Sequence, residues 1–186
     1  MGLSLSAATV ALAQDADPDP AYTKVINERA DKIVATLGIE DSAESLRVRD
    51  VIAGQYRALG KIHDAQDAGD LTEAQESAEL FALHRRFVAQ LEASLTPEQV
   101  EKVKDGLTYG VVPLTYRVYM EMLPDLSPEL KREIKAQLIE AREYAMDAGS
   151  SDAKHAWFGK YKGRINNIVS KAGHDMKKAE QEMKKR

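Results

Sequence analysis

Apolar residues recur at helical spacing along most of this chain, and the pattern predicts an all-α protein. The first stripe follows positions i, i+4, i+7, i+8 and i+11 and consists of Ile26, Ala30, Ile33, Val34 and Leu37. It indicates a helix that ends at Gly38. A second stripe predicts a longer helix from near Asp41 to near Gly69. Because no strand-like alternation is longer than four residues, we expect no sheet.

Signals for helix N-termini divide the rest of the chain. Thr72 and Gln75 have the spacing of a capping box and open a third helix. The run Thr96-Pro97-Glu98-Gln99 adds a proline in the first turn, and Ser127-Pro128-Glu129 repeats that arrangement. Ser150 or its neighbour can cap a further helix. These signals predict separate helices joined by short turns.

The two ends of the chain differ from this helical body. Residues 1–13 are small, apolar and uncharged and finish in Ala-Leu-Ala, as in the remnant of a secretory signal peptide. The alternative is a frayed N-terminus. Residues 14–20 are acidic and rich in proline, which predicts a linker. We predict a single-domain helical bundle of about six to seven helices over residues 21–175. The basic tail over residues 176–186 is either a helical end or a disordered extension.

Residues 109–123 are apolar around nearly the whole helical wheel, which is typical of a central helix. Only Arg117 and Glu121 interrupt that surface, so we expect this pair close to the core. Arg117 then either belongs to an internal ion pair that fixes the packing or contacts a ligand. Tyr109 precedes Gly110, and this dipeptide predicts a turn with an aromatic side chain at its lip.

Residues 147–173 contain the only tryptophan and predict a helix with three arcs. Trp157 lies where an apolar arc borders a polar, basic arc; the basic arc consists of Lys160, Arg164, Asn167 and Lys171. A third arc contains the small residues Gly159, Gly163, Asn166 and Ser170. An indole can stack on the C–H face of a sugar ring while amide and cationic donors bind its oxygens. The alternative is that Trp157 anchors the core and the basic arc only faces water.

The candidate ligand-binding set therefore comprises eight residues. They are Trp157, Lys160, Arg164, Asn166, Asn167, Tyr109, His155 and Arg117. His155 is included because it stands near a helix start, where an imidazole can titrate or bind a ligand.

Candidate catalytic residues are sparse. His63 lies beside Asp64 and one turn from Asp67, but a metal site needs further ligands. His84 falls in an apolar stripe, and this position predicts that it is a core histidine. Phosphate loops, zinc-protease motifs and nucleophile elbows are missing from the sequence, so we expect no cofactor and no bound metal. Enzymatic activity is left uncertain and is not favoured.

Composition changes this picture at one point. The 186 residues include no cysteine, which excludes disulfides and thiolate chemistry, and the formal net charge is −4. We therefore expect no nucleic-acid partner. However, residues 149–186 hold 10 Lys and Arg against 4 Asp and Glu, whereas residues 1–148 hold 16 against 26. The basic C-terminal segment leaves an anionic polymer possible as a local partner.

Two segments resemble a domain-of-unknown-function family of secreted bacterial proteins. They are LTPEQVEKVKDGLTYGVVPLTY (residues 95–116) and DAGSSDAKHAWFGKYKGRINN (residues 147–167). The resemblance spans roughly residues 22–175 and implies an exported, helical protein with a link to sugar binding and polysaccharide degradation. It supplies no catalytic residues. A weaker similarity, through Leu95-Thr96-x-x-Gln99, is to periplasmic chaperones of the Spy type.

Three functions follow as hypotheses. The first is an exported module, periplasmic or secreted, that binds carbohydrate, including acidic polysaccharide, in glycan utilisation. The second is a helical chaperone or scaffold of the envelope that acts through an exposed apolar surface. The third is a polysaccharide-active enzyme without a recognisable motif. We expect no membrane span, because no apolar run is long enough, and the sequence does not indicate an oligomeric state.

Overall fold

The computed structural model describes residues 19–185, and these form eight helices and no strand. The helices are α1 (Pro20–Val34), α2 (Ser42–Asp67), α3 (Glu73–Glu92), α4 (Pro97–Leu107), α5 (Val111–Met122), α6 (Pro128–Met146), α7 (Ser151–Lys171) and α8 (Met176–Met183). The predicted single-domain, all-α class is confirmed. The predicted signal-peptide remnant and most of the predicted linker lie outside the described residues.

The predicted helix starts are confirmed by their capping contacts. The Gln75 amide N lies 3.3 Å from Thr72 Oγ1, and the Gln75 side chain accepts a hydrogen bond from the Thr72 N–H at 3.0 Å. The same reciprocal pair joins Thr96 and Gln99 at the start of α4. Each box satisfies two N–H groups that the helix itself leaves without partners. Local sequence therefore determines where these helices begin.

Two hydrophobic clusters make up the core. The first lies among α1–α4 and is completed by Met146 of α6; it includes Ile26, Ile52, Phe87, Leu91 and Val103. The second lies among α5–α8 and includes Ile134, Leu138, Phe158, Ile165 and Val169. α6 contacts both halves, since it packs on α4, α5 and α7. The chain thus buries its apolar stripes in two adjoining groups of four helices.

The prediction that α5 is a central, surrounded helix is wrong. Arg117 and Glu121 are both exposed, and Leu114 is 51% exposed. α5 packs on α6, α8 and the end of α4, which cover only part of its apolar circumference. An all-round apolar wheel indicates burial only if enough neighbours surround the helix. Here the remaining apolar side chains face a groove at the surface, so the predicted internal ion pair is not formed.

The helix count exceeds the predicted six to seven because part of the predicted basic tail forms α8. Asp175 caps this helix by accepting a hydrogen bond from the Lys178 N–H at 3.0 Å. Ala179 is buried in the second cluster, and Met176 packs against that cluster. The helical alternative therefore describes residues 176–183, and these apolar contacts hold the segment against α5 and α7.

A network of charged side chains connects α6 to α3 and α4. The guanidinium of Arg142 is only 2% exposed and donates to Asp105 and Glu101, each at 2.7 Å. Burial opposes the charge on Arg142, but these two carboxylates outweigh it and raise the pKa of the guanidinium further. A buried cation is tolerated when it is paired in this way.

His84 joins the same network. Its apolar stripe had predicted a core position, but its ring nitrogens contact carboxylates instead. Its Nδ1 lies 2.8 Å from Asp147 Oδ2, and its Nε2 lies 3.4 Å from Glu143 Oε2. The hydrogen bond to Asp147, supported by the one to Glu143, raises the pKa of His84 to about 9. Burial alone would raise the pKa of Glu143, but His84 and Lys104 lower it to about 2. This ionic cluster fixes the C-terminus of α6.

His63 contacts the segment between α6 and α7. It does not pair with Asp64 or Asp67; instead its Nδ1 lies 3.0 Å from Glu76 Oε1 and its Nε2 lies 2.8 Å from the Asp147 carbonyl. A Cβ added to Gly149 would approach the His63 ring to 2.9 Å, so only glycine fits there without displacement. These contacts position the segment that leads into α7.

Candidate functional site

The α6–α7 segment forms one wall of a cleft with a volume of about 560 Å³. α1 and α2 form the opposite walls, and the α4–α5 turn lies at one end. The cleft is lined by three cations, Arg29, Lys32 and Lys154, and by three tyrosines, Tyr22, Tyr56 and Tyr109. Over residues 19–185 its lining contains no Asp and no Glu. The chemistry of this surface is therefore cationic and aromatic.

Lys154 is the buried cation of this cleft. Its side chain is 6% exposed, and its Nζ donates a hydrogen bond to the Leu107 carbonyl at 2.9 Å. The same atom lies 5.8 Å from the ring centroid of Tyr56 and 6.0 Å from that of Tyr109. Within the described part of the chain it forms no ion pair with a carboxylate. The ammonium is thus held by one helix-terminal carbonyl and two aromatic rings.

The surroundings of Lys154 in the cleft favour its neutral form. Burial, and after it the positive charge of Arg29, lower the pKa of this amine to about 8, and among the described residues the charge of Asp147 opposes them. Burial also raises the pKa of Tyr56, against the opposing effect of Arg29. A desolvated lysine beside a second cation carries a larger fraction of free amine than an exposed one.

Arg29 and Lys32 are exposed on successive turns of α1 and line the same cleft. Neither forms an ion pair with any carboxylate in the region that the structure describes. Surface cations are often near an acid, and Arg, Lys and His side chains elsewhere among the described residues do form such pairs. The cleft therefore presents positive charge that no acid of residues 19–185 neutralises through an ion pair.

Tyr109 lies at the lip of the cleft in an unusual backbone conformation. Its φ is +60°, the one positive φ at a non-glycine residue in residues 19–185, and Gly110 follows with φ +64°. A side chain in this left-handed region costs about 1 kcal/mol or more. The ring is 56% exposed and stacks on His155, with centroids 5.4 Å apart and an interplanar angle of 17°. The predicted turn and exposed aromatic are present.

A second aromatic surface lies along α6 and α7 and is named here the Trp157 strip; it comprises Trp157, Tyr144, Tyr161, Lys160 and Arg164. The indole stacks on Tyr144 at 4.6 Å, and the Lys160 ammonium lies 4.8 Å from the indole centroid. Arg164 lies 4.4 Å from the ring centroid of Tyr161. Trp157 is half-buried at the edge of the second cluster. Its ring is therefore already engaged by the protein.

The eight candidate residues do not form one site. Tyr109 and His155 meet at the cleft, whereas Trp157, Lys160 and Arg164 lie on another flank of α7, with Asn167 exposed near them on the same flank by helical spacing. Asn166 lies apart from both, where its Oδ1 accepts a hydrogen bond from the Tyr119 hydroxyl at 2.6 Å. Arg117 is exposed on α5.

Sequence reasoning missed Arg29, Tyr56 and Lys154. For Lys154 a signal was present, because helical spacing places it on the same arc as Phe158, Tyr161 and Ile165. A lysine on an apolar arc must either extend its ammonium to water or be buried with polar partners, so such a lysine is a candidate site residue. Arg29 and Tyr56 carried no such signal, since they lie on exposed or partly exposed positions of ordinary amphipathic helices.

A second cavity, an apolar groove between α5, α7 and α8, has a volume of about 640 Å³. Leu114, Val118 and three methionines (Met122, Met176 and Met183) line it, with Lys162 and Lys184 at its rim. This groove contains the apolar side chains of α5 that no neighbouring helix covers.

Within residues 19–185 there is no group of three or more His, Asp or Glu side chains placed to hold a metal ion. Across the same residues, no helix has both the length and the apolar character that crossing a membrane requires.

Fold and site together define an all-α, single-domain protein with a cationic cleft lined by tyrosines. The chain belongs to the family described as protein of unknown function DUF3826, whose family model matches residues 23–186. The predicted membership in a domain-of-unknown-function family is thereby confirmed. Among curated proteins, none matches the chain.

Proposed function

We propose that this protein is an exported module that binds an acidic carbohydrate in the cleft between α1, α2 and the start of α7. The observation that carries the proposal is the lining itself, which combines three tyrosines with three cations that form no ion pair with a carboxylate of residues 19–185. The volume of about 560 Å³ is typical of sites for small ligands.

The two kinds of side chain have complementary roles. Exposed Arg29 and Lys32 can bind a carboxylate of the ligand through charge-assisted hydrogen bonds. The exposed ring of Tyr109 offers an apolar face to sugar C–H groups and a hydroxyl to their oxygens. Tyr109 is already ordered by its stacking on His155, so binding costs less side-chain entropy. An acidic sugar satisfies both features, whereas a neutral sugar leaves the cations unused.

Calorimetric titration with a trigalacturonate and with a neutral trisaccharide tests this proposal. We expect the acidic oligosaccharide to bind and Arg29→Met to weaken it roughly tenfold or more, because a hydrogen bond to a charged group contributes about 1.5–3 kcal/mol. Trp157→Ala is the matched control, since Trp157 lies outside the cleft. Equal affinities of the wild type and Arg29→Met, or no binding of any acidic oligosaccharide, would contradict the proposal.

The same pair of variants distinguishes the cleft from the Trp157 strip. If Trp157→Ala abolishes binding and Arg29→Met does not, the ligand lies on the Trp157 strip, beside the helix to which the sequence hypothesis assigned it. Export is part of the proposal and rests on the small, apolar residues 1–13. N-terminal sequencing of protein recovered from the periplasm or medium tests it.

A second candidate function, an envelope chaperone or scaffold, is favoured by the apolar groove between α5, α7 and α8. Methionine-lined grooves adapt to varied apolar segments. Suppression of aggregation of a thermally unfolded client, and its loss in Leu114→Glu, would support this function. A client that aggregates equally with and without the protein would count against it.

A further inference from the structure

We propose that Lys154 is a nucleophilic amine that forms an imine with an anionic aldehyde or ketone bound in the cleft. The imine chemistry goes beyond the proposed function: it uses the same cleft but requires a carbonyl group in the ligand and does not require that the ligand be a carbohydrate.

The position of the amine combines burial with access to a cavity. Lys154 lies at the wall of an open cleft of about 560 Å³, while its side chain is almost completely buried. Its Nζ has one hydrogen-bond acceptor, the Leu107 carbonyl at 2.9 Å, and no carboxylate partner in residues 19–185. Buried lysines are ordinarily paired with an acid, so an unpaired one beside a cavity is a candidate for chemistry.

Charged and aromatic groups face the amine from several neighbouring elements. Arg29 of α1 is the nearby cation, Tyr56 of α2 and Tyr109 of the α4–α5 turn contribute aromatic rings, and Asp147 at the end of α6 is the one acid among the described residues that acts on it. Burial and Arg29 together lower the pKa of Lys154 to about 8. Compared with an exposed lysine at neutral pH, this increases the free-amine fraction on the order of a hundredfold. Desolvation beside another cation is an established way to activate a lysine nucleophile.

The cations of the cleft are complementary to an anionic carbonyl compound. Arg29 and Lys32 line the cleft with the amine, so they can hold a carboxylate of the same small molecule. The reaction is balanced without any external oxidant or reductant. The nitrogen lone pair of the free amine of Lys154 attacks the carbonyl carbon, and one proton moves from nitrogen to oxygen to give a carbinolamine. Loss of one water molecule then leaves the C=N bond.

The test is reductive trapping of the full chain with sodium glyoxylate and sodium cyanoborohydride, which delivers hydride to the imine carbon and leaves a stable secondary amine. Peptide mass mapping then measures the modification of each lysine at pH 7.5. We expect Lys154 to be modified at least tenfold faster than Lys178, whose side chain is 71% exposed. Modification of Lys154 no faster than that of Lys178 would overturn the proposal.

Two variants separate chemistry from structure, because Lys154 also caps the last carbonyl of α4. Lys154→Arg keeps a cationic donor for the Leu107 carbonyl but has no primary amine, so preferential trapping should be lost while the fold is retained in circular dichroism. Lys178→Arg is the matched control and should trap like the wild type. Fast trapping that persists in Lys154→Arg would place the reactive amine elsewhere and refute the assignment.

The pH dependence of trapping and a comparison of charged and neutral ligands test the role of Arg29. In the wild type, trapping should be half-maximal near pH 8, and Arg29→Met should move that midpoint to higher pH because a neighbouring positive charge is removed. Glycolaldehyde, a neutral aldehyde, should depend less on Arg29 than glyoxylate does; equal dependence would contradict the role of the carboxylate. Trigalacturonate whose reducing end has been reduced to an alditol has no aldehyde that could form an imine, so its binding reports the proposed function separately from the imine.

Discussion

The imidazole of His84 is held between two carboxylates of α6, and this arrangement makes the stability of the fold depend on pH. Asp147 and Glu143 favour the protonated ring, which raises the pKa of His84 from 6.5 to about 9. A raised pKa in the folded state means that the folded protein binds the proton more tightly than the unfolded chain. The stabilisation is therefore complete below pH 6.5 and is lost as pH rises through 9.

The magnitude follows from the size of that shift. Two and a half pKa units correspond to about 3 kcal/mol if the pair is fully shielded from water. The His84 side chain is 20% exposed and its two partners are exposed to a similar extent. Because water weakens partly exposed pairs, we expect about 1–2 kcal/mol of pH-dependent stabilisation from His84.

The assay compares urea unfolding of the wild type and His84→Gln between pH 6 and pH 9.5. The difference in unfolding free energy should be largest at pH 6 and should shrink by that amount at pH 9.5. The two proteins are compared at each pH because Lys154 also changes the unfolding free energy in this range, with the opposite sign. Since the pKa of Lys154 is lowered in the folded state, its contribution to stability increases as pH rises through 8, and this contribution cancels in the comparison.

His174→Gln is the matched control, since His174 has no ion pair in the described region and should show no such trend. A stability difference between wild type and His84→Gln that is the same at pH 6 and pH 9.5 would refute the assignment of His84⁺ to this ionic cluster.

Two further substitutions test the packing of α6 and α7, again by urea unfolding. Arg142→Met should destabilise the fold by about 2–4 kcal/mol, because it leaves the partly buried Asp105 and the exposed Glu101 without their buried cation, whereas Arg132→Met at an exposed pair should change nothing measurable. Gly149→Ala should cost about 1–3 kcal/mol, because its Cβ meets the His63 ring at 2.9 Å. Gly159→Ala, with open space around it, should stabilise by about 0.5–1 kcal/mol. Equal effects within either pair would contradict these assignments.

The parts of this fold that sequence could predict are those governed by neighbours in the chain. The capping box of Thr96 and Gln99 needs only four consecutive residues, and the apolar stripe of α1 needs only one helix. The burial of α5 could not be predicted in this way. Its wheel shows which side chains are apolar, but not how many other helices lie around it, and Arg117 was placed near the core for that reason.

The candidate site was only partly predictable for a related reason. Tyr109 and His155 were both singled out, but their stacking depends on how the α4–α5 turn meets the start of α7. Arg29, Tyr56 and Lys154 come from three helices and become one surface only after packing. No local pattern distinguishes Arg29 from the other exposed arginines of the chain, because its distinguishing feature is that it forms no ion pair with any acid among residues 19–185, and that depends on the packing.

Tyr109 shows a trade-off between stability and function at a single position. Glycine would fit its left-handed backbone at φ +60° without the steric penalty of about 1 kcal/mol, and this gain opposes the loss of the ring's contacts with His155 and Lys154 and the greater flexibility of the unfolded chain. Tyr109→Gly should therefore stay close to the wild type in urea. The same substitution removes the exposed ring at the lip of the cleft. A screen for thermostability would therefore accept glycine here, and only a binding assay would reject it.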